Sequence, residues 1–177
     1  MSTRTVMHDA DIARALTRIS HEILESNRGP EGLVLLGIPT RGVTLAERIA
    51  SLVSEFGGAA VPVGSLDVTM YRDDLHRNPT RAPRKTEIPA GGIDGKVVVL
   101  VDDVLFSGRS IRAALDALQD IGRPAAVRLA TLVDRGHREL PIRPDFVGKN
   151  LPSARDERVN VRLAETDGAE SVTIEGR

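Results

Sequence analysis

Between Asp9 and Asn27 the apolar residues Ile12, Leu16, Ile19 and Ile23 recur at spacings of four, three and four. That spacing marks one face of an α-helix, with Asp9 placed to cap its start and Gly29-Pro30 to end it. Gly32 to Ile38 is a short unbroken apolar run and predicts a buried strand. Val43 to Phe56 returns to helical periodicity and stops at Gly57-Gly58. Val61 to Met70 alternates as a strand does. Val97 to Val101 predicts a strand, Arg109 to Asp120 a helix ended by Gly122, and Ala125 to Asp134 another strand. "RGHRELPIRPDFVGKN" is a polar connection with short extended pieces. Arg158 to Ala164 and Ser171 to Glu175 predict two strands around an Asp167-Gly168 turn. Tyr71 to Gly92 fits neither period. It carries His76, Arg77, Arg81, Arg84 and Lys85 with three prolines, and predicts a long mobile loop of the kind that usually has a function.

Strand alternating with helix predicts an α/β fold, a mainly parallel sheet flanked by helices on both faces. Ligands in that architecture sit outside the carboxyl ends of the strands, where both "GIPTRG" and "DDVLFSGRS" fall. The chain has 177 residues and no repeat or clear linker, so residues 1–177 are read as one domain.

Composition narrows the function. Aromatic residues are only 2%, so the core is aliphatic and the composition argues against a protein built on aromatic base-stacking. The net charge of −1 means that any nucleic-acid contact needs a local basic patch. There is no cysteine, hence no disulfide, thiolate metal site or thiol nucleophile. No apolar run reaches the roughly 18 residues of a membrane helix, and "MSTRTVMHDADIARAL" lacks a signal-peptide core. The expectation is a cytoplasmic protein.

The chemistry concentrates in "VVVLVDDVLFSGRS". Asp102 and Asp103 leave a buried strand at its carboxyl end, where they can accept hydrogen bonds from paired hydroxyls or meet a metal-bound water. Ser107-Gly108-Arg109-Ser110 then opens a helix. Unpaired N–H groups at a helix start, hydroxyls beside them and a glycine allowing close approach make a phosphate cradle. Diol and phosphate together are the two ends of a ribose 5-phosphate. No G-x-G-x-x-G, G-K-[ST] or G-x-S-x-G string occurs, and the four histidines lack metal-ligand spacing. Tyr71-Arg72-Asp73-Asp74 reads equally as a second acidic site or a solvated loop start.

The full string resembles the phosphoribosyl pyrophosphate signature of type I phosphoribosyltransferases. "ALTRISHEI", "GIPTRG", "LDVTMYRDDL", "VVLVDDVLFSGRSIRAALDAL" and "LVDRGHRELPIRPDFVGKNLP" are more specifically similar to the bacterial pyrimidine-operon attenuation regulators that are also uracil phosphoribosyltransferases. The match runs in order from about Val6 to Leu163, with Ser107 and Ser110 where that family often has threonine. The segment from Arg77 to Lys85 matches least.

This resemblance implies the type I fold, with a small hood built from about residues 135–177 and the N-terminal segment, over a site flanked by the mobile loop 71–92. It implies the reaction of uracil with phosphoribosyl pyrophosphate to UMP and pyrophosphate, with Mg²⁺ held mainly by substrate oxygens and water. Thr40 and Arg41 are then placed for pyrophosphate, and Asp102 and Asp103 for the ribose hydroxyls. Val104, Leu105 and Phe106 lead into the 5′-phosphate loop Ser107, Gly108, Arg109 and Ser110. Arg84 is placed to close over the pyrophosphate. The base belongs under the hood near Arg135 and Val159, read mainly by backbone groups.

It further implies binding of UMP or UTP and of leader RNA of pyrimidine genes, by a homodimer or higher oligomer. Thr17 and His21 share a helix face offset from the apolar stripe. With Arg138, Arg143 and Lys149 they match the family's RNA-binding positions, although such a helix face is by itself more often merely solvated. A salvage enzyme alone, or a nucleotide-sensing RNA binder with little catalysis, fits the same residues. A purine phosphoribosyltransferase shares the phosphate loop but not "DRGHRELPIRPDFVGKN".

Overall fold

The structure is a computed structural model that describes residues 2–74 and 82–176. In chain order its elements are β1 (Thr3–Met7), α1 (Asp9–Asn27), β2 (Leu33–Gly37), α2 (Arg41–Gly57), β3 (Val63–Ser65), a 3-10 turn (Thr69–Tyr71), β4 (Val97–Leu105), α3 (Arg109–Gln119), β5 (Ala126–Asp134), β6 (Phe146–Asn150), β7 (Arg158–Arg162), α4 (Ala164–Asp167) and β8 (Ser171–Glu175). Five strands form one parallel sheet in the order β3-β2-β4-β5-β6. Alternation along the central strand divides the core into two layers. Val99 and Val101 of β4 pack with α1 and α2, whereas Val98 and Leu100 pack with α3. Among the described residues no helix is long and apolar enough to cross a membrane.

Several boundaries differ from the sequence expectation, each for a local reason. Helix α1 is capped by His8 rather than Asp9: the His8 N–H donates to Asp11 Oδ2 at 2.8 Å. Strand β3 stops at Ser65 instead of running to Met70. Asp67 Oδ1 accepts from the Thr69 N–H (3.2 Å) and hydroxyl (2.7 Å), which bends the chain into the 3-10 turn. Strand β4 continues past Val101, because Asp102, Val104 and Leu105 stay in ladder with Thr131, Val133 and Asp134 of β5. The connection read as hood and loop supplies β6, the edge strand of the main sheet, with Phe146 buried and Lys149 and Asn150 exposed.

A second sheet, antiparallel in the order β1-β8-β7, forms the hood. Met7, Val161, Leu163, Val172 and Ile174 set its apolar side into the α1–α2 layer. The expected Asp167-Gly168 reversal is there, built as α4 with Gly168 at φ 68°. Of the proposed mobile loop 71–92, residues 75–81, which include His76, Arg77 and Arg81, lie outside the described residues. The described flanks are anchored. The Tyr71 hydroxyl bonds Asp120, and the Glu87 N–H and C=O pair with Ser65 at 2.9 and 3.0 Å.

Candidate active site

The two aspartates sit in succession on β4, so their side chains take opposite sides of the strand. Asp102 lines a cleft of about 700 Å³ together with Val104, Leu105, Phe106, Ser107, Gly108, Arg109 and Ser110. Asp103 lines a second cleft, about 310 Å³, with Arg41, Val159 and Asp167. Each carboxylate is fixed by a neighbouring backbone N–H: Asp103 N–H to Asp102 Oδ1 at 2.9 Å and Val104 N–H to Asp103 Oδ1 at 2.8 Å. Burial first, and the adjacent Asp103 charge second, push Asp102 well above the usual carboxylate range. Such a pair is short of hydrogen-bond donors, and ligand hydroxyls would supply them.

The loop after β4 is built to hold its shape. Gly108 has φ 92°, a conformation that side chains rarely adopt, and a Cβ there would lie 3.3 Å from Ile142 Cβ. Ser107 Oγ accepts from the Arg109 N–H at 3.3 Å. The loop carbonyls are pinned from behind: Phe106 O by Arg138 Nη1 (2.9 Å), and Ser107 O by the N–H groups of Glu139 (2.9 Å) and Leu140 (3.3 Å). The first N–H groups of α3 have no partner within the helix and carry its positive end. The Arg109 guanidinium, expected at the phosphate, is instead engaged by Asp73 (2.6 Å) and Glu139 (2.9 Å). Glu139 also holds Arg155 at 2.5 Å.

Close packing of glycine places the "PTRG" loop. A Cβ on Gly37 would lie 2.4 Å from the Gly42 carbonyl oxygen, and one on Gly42 would lie 2.5 Å from that of Val101. The start of α2 therefore lies directly on β2 and β4, one residue from Asp102. The Pro39–Thr40 peptide is cis, and Thr40 stands at the N-cap position of α2 without a side-chain capping bond. Arg41 forms a two-pronged pair with Asp167 of α4, at 3.0 and 2.6 Å. Its bond to Asp167 raises the Arg41 pKa, with a further contribution from the Asp103 charge. Arg41 and then the Leu163 N–H hold Asp167 below the usual carboxylate range. Arg84 is exposed and lines neither cleft.

Under the hood, Val159 reaches the second cleft, whereas Arg135 does not line it. Arg135 is only 7% exposed. Its guanidinium lies 4.2 Å from the centre of the Phe106 ring and donates to Ala154 O at 2.9 Å. Burial lowers its pKa. The Arg135 backbone, expected to read the base, is also engaged: its N–H donates to Leu105 O (3.1 Å) and its C=O accepts from Ser153 Oγ (2.9 Å). Arg135 thus supports the Phe106 wall.

The five residues expected at RNA do not form one continuous patch. Thr17 and His21 line a shallow groove on α1, with His21 stacked on Phe56 at 4.2 Å. Lys149 is exposed on the neighbouring edge strand β6, to which Arg18 of α1 is bonded through Val147 O and Gly148 O. Arg143 is exposed on the connection whose Ile142 packs with the opposite layer. Arg138 lines a cleft with Arg143 and is also engaged within the chain. Its three bonds, to Phe106 O, Ile142 O (2.8 Å) and Asp134 Oδ2 (2.7 Å), make it a brace for the phosphate loop.

The sequence reading did not assign Glu139, met Asp73 only in a string open between an acidic site and a solvated loop start, and met Asp167 only as part of a turn. Each acts on a residue tens of positions away, and a charge in a polar stretch carries no local mark of that. The only signal was the acidic "YRDDL" string.

A sheet whose central strand ends in paired carboxylates and a helix-start phosphate loop, beneath a small second sheet, defines a class. Residues 4–164 match the family described as the phosphoribosyl transferase domain. In structure the chain is similar to the hypoxanthine-guanine phosphoribosyltransferase of Bacillus anthracis (TM-score 0.72, 17% identity, 98% of each chain). It is similar also to the hypoxanthine phosphoribosyltransferase of Trypanosoma cruzi (TM-score 0.72, 16% identity, 97% of this chain and 95% of the other). At these identities the likeness concerns the fold alone. In sequence it is 72% identical to the bifunctional protein PyrR of Leifsonia xyli over 99% of this chain and 98% of that one. It is 57% identical to that of Mycobacterium tuberculosis over 97% and 93%. The chain belongs to the phosphoribosyltransferase family and, within it, to the bifunctional PyrR proteins.

Proposed function

We propose that the protein is a uracil phosphoribosyltransferase that also regulates pyrimidine genes by binding their leader RNA, with uridine nucleotides in the same cleft tuning that binding. The reaction joins uracil N1 to C1 of the ribose, breaks the C1–pyrophosphate bond, and releases the N1 proton to pyrophosphate or water. The observation that carries the reading is Asp102 sharing one cleft with the 107–110 helix start, with Asp103 beside it on the strand and facing the adjoining hood cleft, a site for a diol beside a phosphate.

Asp102 and Asp103 accept hydrogen bonds from the ribose hydroxyls, and those donors offset the cost of placing two half-buried carboxylates side by side. Ser107, Gly108 and Ser110 take the 5′-phosphate through N–H groups and hydroxyls, while Arg109 holds the loop to Asp73 and Glu139. Thr40 and Arg41 meet the leaving pyrophosphate, where cations count most as charge develops. Arg84, exposed outside both clefts, is assigned to the pyrophosphate only once ligand is bound. Val159 and the backbone of β7 cover the base. Among the described residues no group of three or more His, Cys, Asp or Glu side chains is placed to hold a metal ion. Mg²⁺ would be held by the oxygens of phosphoribosyl pyrophosphate and water, and Asp102 and Asp103 are the carboxylates that would meet its water shell. When bound it supplies charge neutralisation of the leaving group.

Thr17, His21, Arg143 and Lys149 form the RNA-facing set, in a cytoplasmic homodimer that binds UMP or UTP. The exposed apolar side chains Met70, Leu115 and Ile121, on and beside α3, support self-association.

The test is turnover of uracil with phosphoribosyl pyrophosphate and Mg²⁺, alongside titration of the protein's own leader RNA with and without UMP. Uracil turnover is expected to fall at least about tenfold in Asp103→Asn, the scale of one lost charge-assisted hydrogen bond. RNA binding is expected to tighten with UMP. Full activity in Asp103→Asn removes the assignment of the acid pair. An RNA affinity indifferent to UMP and to Arg143→Gln with Lys149→Gln leaves an enzyme only.

A further inference from the structure

Two arginines of α2, Arg41 and Arg48, lie seven residues apart and so share one helix face. Both are gripped by carboxylates from a single short stretch, residues 165–170. Arg48 bonds Glu165 through Nε (2.8 Å to Oε2) and Nη2 (to Oε1). It bonds Glu170 through Nη1 (2.6 Å to Oε2) and Nη2 (2.9 Å to Oε1). Its pKa is pushed far up by the bond to Glu170 and then that to Glu165, while both carboxyl groups are held below their usual range, in each case chiefly by Arg48.

The stretch is the reversal between β7 and β8, and its carboxylates also fasten the backbone there. The Leu163 N–H donates to Asp167 Oδ2 at 2.8 Å and the Ala164 N–H to Glu170 Oε1 at 2.9 Å. The arginines therefore hold the reversal itself. Much of the hood's remaining hold on the main domain is apolar, through Met7, Val161, Leu163, Val172 and Ile174. Apolar burial resists separation but is non-directional, so it fixes height and tilt poorly. Two-pronged arginine–carboxylate pairs fix both. Only four positions separate Leu163 from Val159, which faces Asp103 across the second cleft.

We infer that Arg48, together with Glu165 and Glu170, is a positioning residue for the base: it sets the height of β7, and hence of Val159, over Asp103. The inference rests on reading the hood cleft as the base site. Arg48 lines neither cleft, so its effect reaches substrate only through the hood. The Arg48 side chain is 24% accessible and that of Glu170 19%, so the ties hold stability as well as position, and the two roles are told apart by reading uracil KM and UMP affinity beside the thermal midpoint.

The experiment compares wild type with Arg48→Met, Arg48→Lys and the double variant Glu165→Gln/Glu170→Gln. Each is measured for uracil kinetics, for equilibrium binding of UMP and of ribose 5-phosphate, and for thermal midpoint. In Arg48→Met and the double acid variant the KM for uracil is expected to rise about fivefold or more, with kcat and the KM for phosphoribosyl pyrophosphate within about twofold. UMP should bind correspondingly more weakly and ribose 5-phosphate unchanged. Arg48→Lys, which keeps the charge without the planar fork, should lie between. A lowered thermal midpoint with unchanged uracil KM and UMP affinity overturns the inference and leaves a structural tie. Equal losses for UMP and ribose 5-phosphate overturn it too. If the wild type turns over no uracil, the catalytic reading fails by itself; weaker UMP binding in Arg48→Met with ribose 5-phosphate unchanged still sustains the positioning role.

Discussion

Replacing Gly42 by alanine puts a methyl carbon 2.5 Å from the Val101 carbonyl oxygen and 3.3 Å from Asp102 Cα. Neither neighbour is a flexible side-chain end. To reach ordinary contact the start of α2 must withdraw by about 1 Å, because a packed interior has no slack to absorb the methyl. Overpacking of this kind costs about 1–3 kcal/mol. Alanine recovers about 0.5–1 kcal/mol through its better helix propensity. The net loss is then about 1–2 kcal/mol, and for a domain of this size each kcal/mol lowers the thermal midpoint by about 2–4 °C. The kinetic effect should be larger than the thermal one. Thr40 and Arg41 ride on the displaced turn, and a misplacement of about 1 Å at a reacting centre can cost on the order of a hundredfold. Calorimetry and uracil turnover on the same preparation are expected to show a midpoint lower by about 2–8 °C and a kcat/KM for phosphoribosyl pyrophosphate lower by tenfold or more, on the order of the misplacement cost. A variant with wild-type turnover and midpoint would mean that the contact between α2 and β4 does not set the geometry of the pyrophosphate loop.

Asp102→Asn should separate stability from function. With Asp102 raised above its unfolded value, the folded state loses stability as pH rises from that unfolded value through the folded one. The amide should therefore raise stability at pH 7 while lowering turnover, and a less stable variant contradicts the assigned charge strain. Acid should act in the opposite sense on the hood ties. Asp167, Glu165 and Glu170 are held below their unfolded values, so their contribution is present above those values, about 3.9 for Asp and 4.3 for Glu, and is lost as pH falls through the lower folded ones. Denaturant unfolding between pH 7 and pH 3 is expected to show that loss in wild type and less of it in Glu165→Gln/Glu170→Gln; equal slopes would remove the assignment.

The sequence made the central layer legible because its strands are buried on both faces and its helices carry apolar stripes. Elements at the edges were hidden by solvent. β1 exposes Thr3, Arg4 and Thr5, and β6 exposes Lys149 and Asn150, so neither shows the unbroken apolar run of a central strand. The acid pair and the phosphate loop were readable because cradle chemistry is local, contained in nine consecutive residues from Asp102 to Ser110. The braces were not. Arg138 and Arg109 look like free cations in the sequence, and only folding brings Phe106 O and Asp73 to them. Asp167 reaches Arg41 across a separation of 126 residues, which no local pattern encodes.

The hood sheet pairs Thr3 with Glu175 and Met7 with Val172. β1 therefore leaves the ribosome long before its partner β8, and a growing chain holds β1 unpaired while the residues between them are translated. By the time residue 150 has left the ribosome, the five parallel strands and the phosphate loop can already assemble, but β1 has no partner. On the proposed assignment the sugar-phosphate half of the site is thus available to an unfinished chain, and the roof over the base closes only once β8 arrives. Contacts of such long range are costly to form and come late. Ribose 5-phosphate or phosphoribosyl pyrophosphate could steady the nascent sheet before any base can be enclosed, placing ligand recognition within the folding sequence of the chain as well as in its finished form.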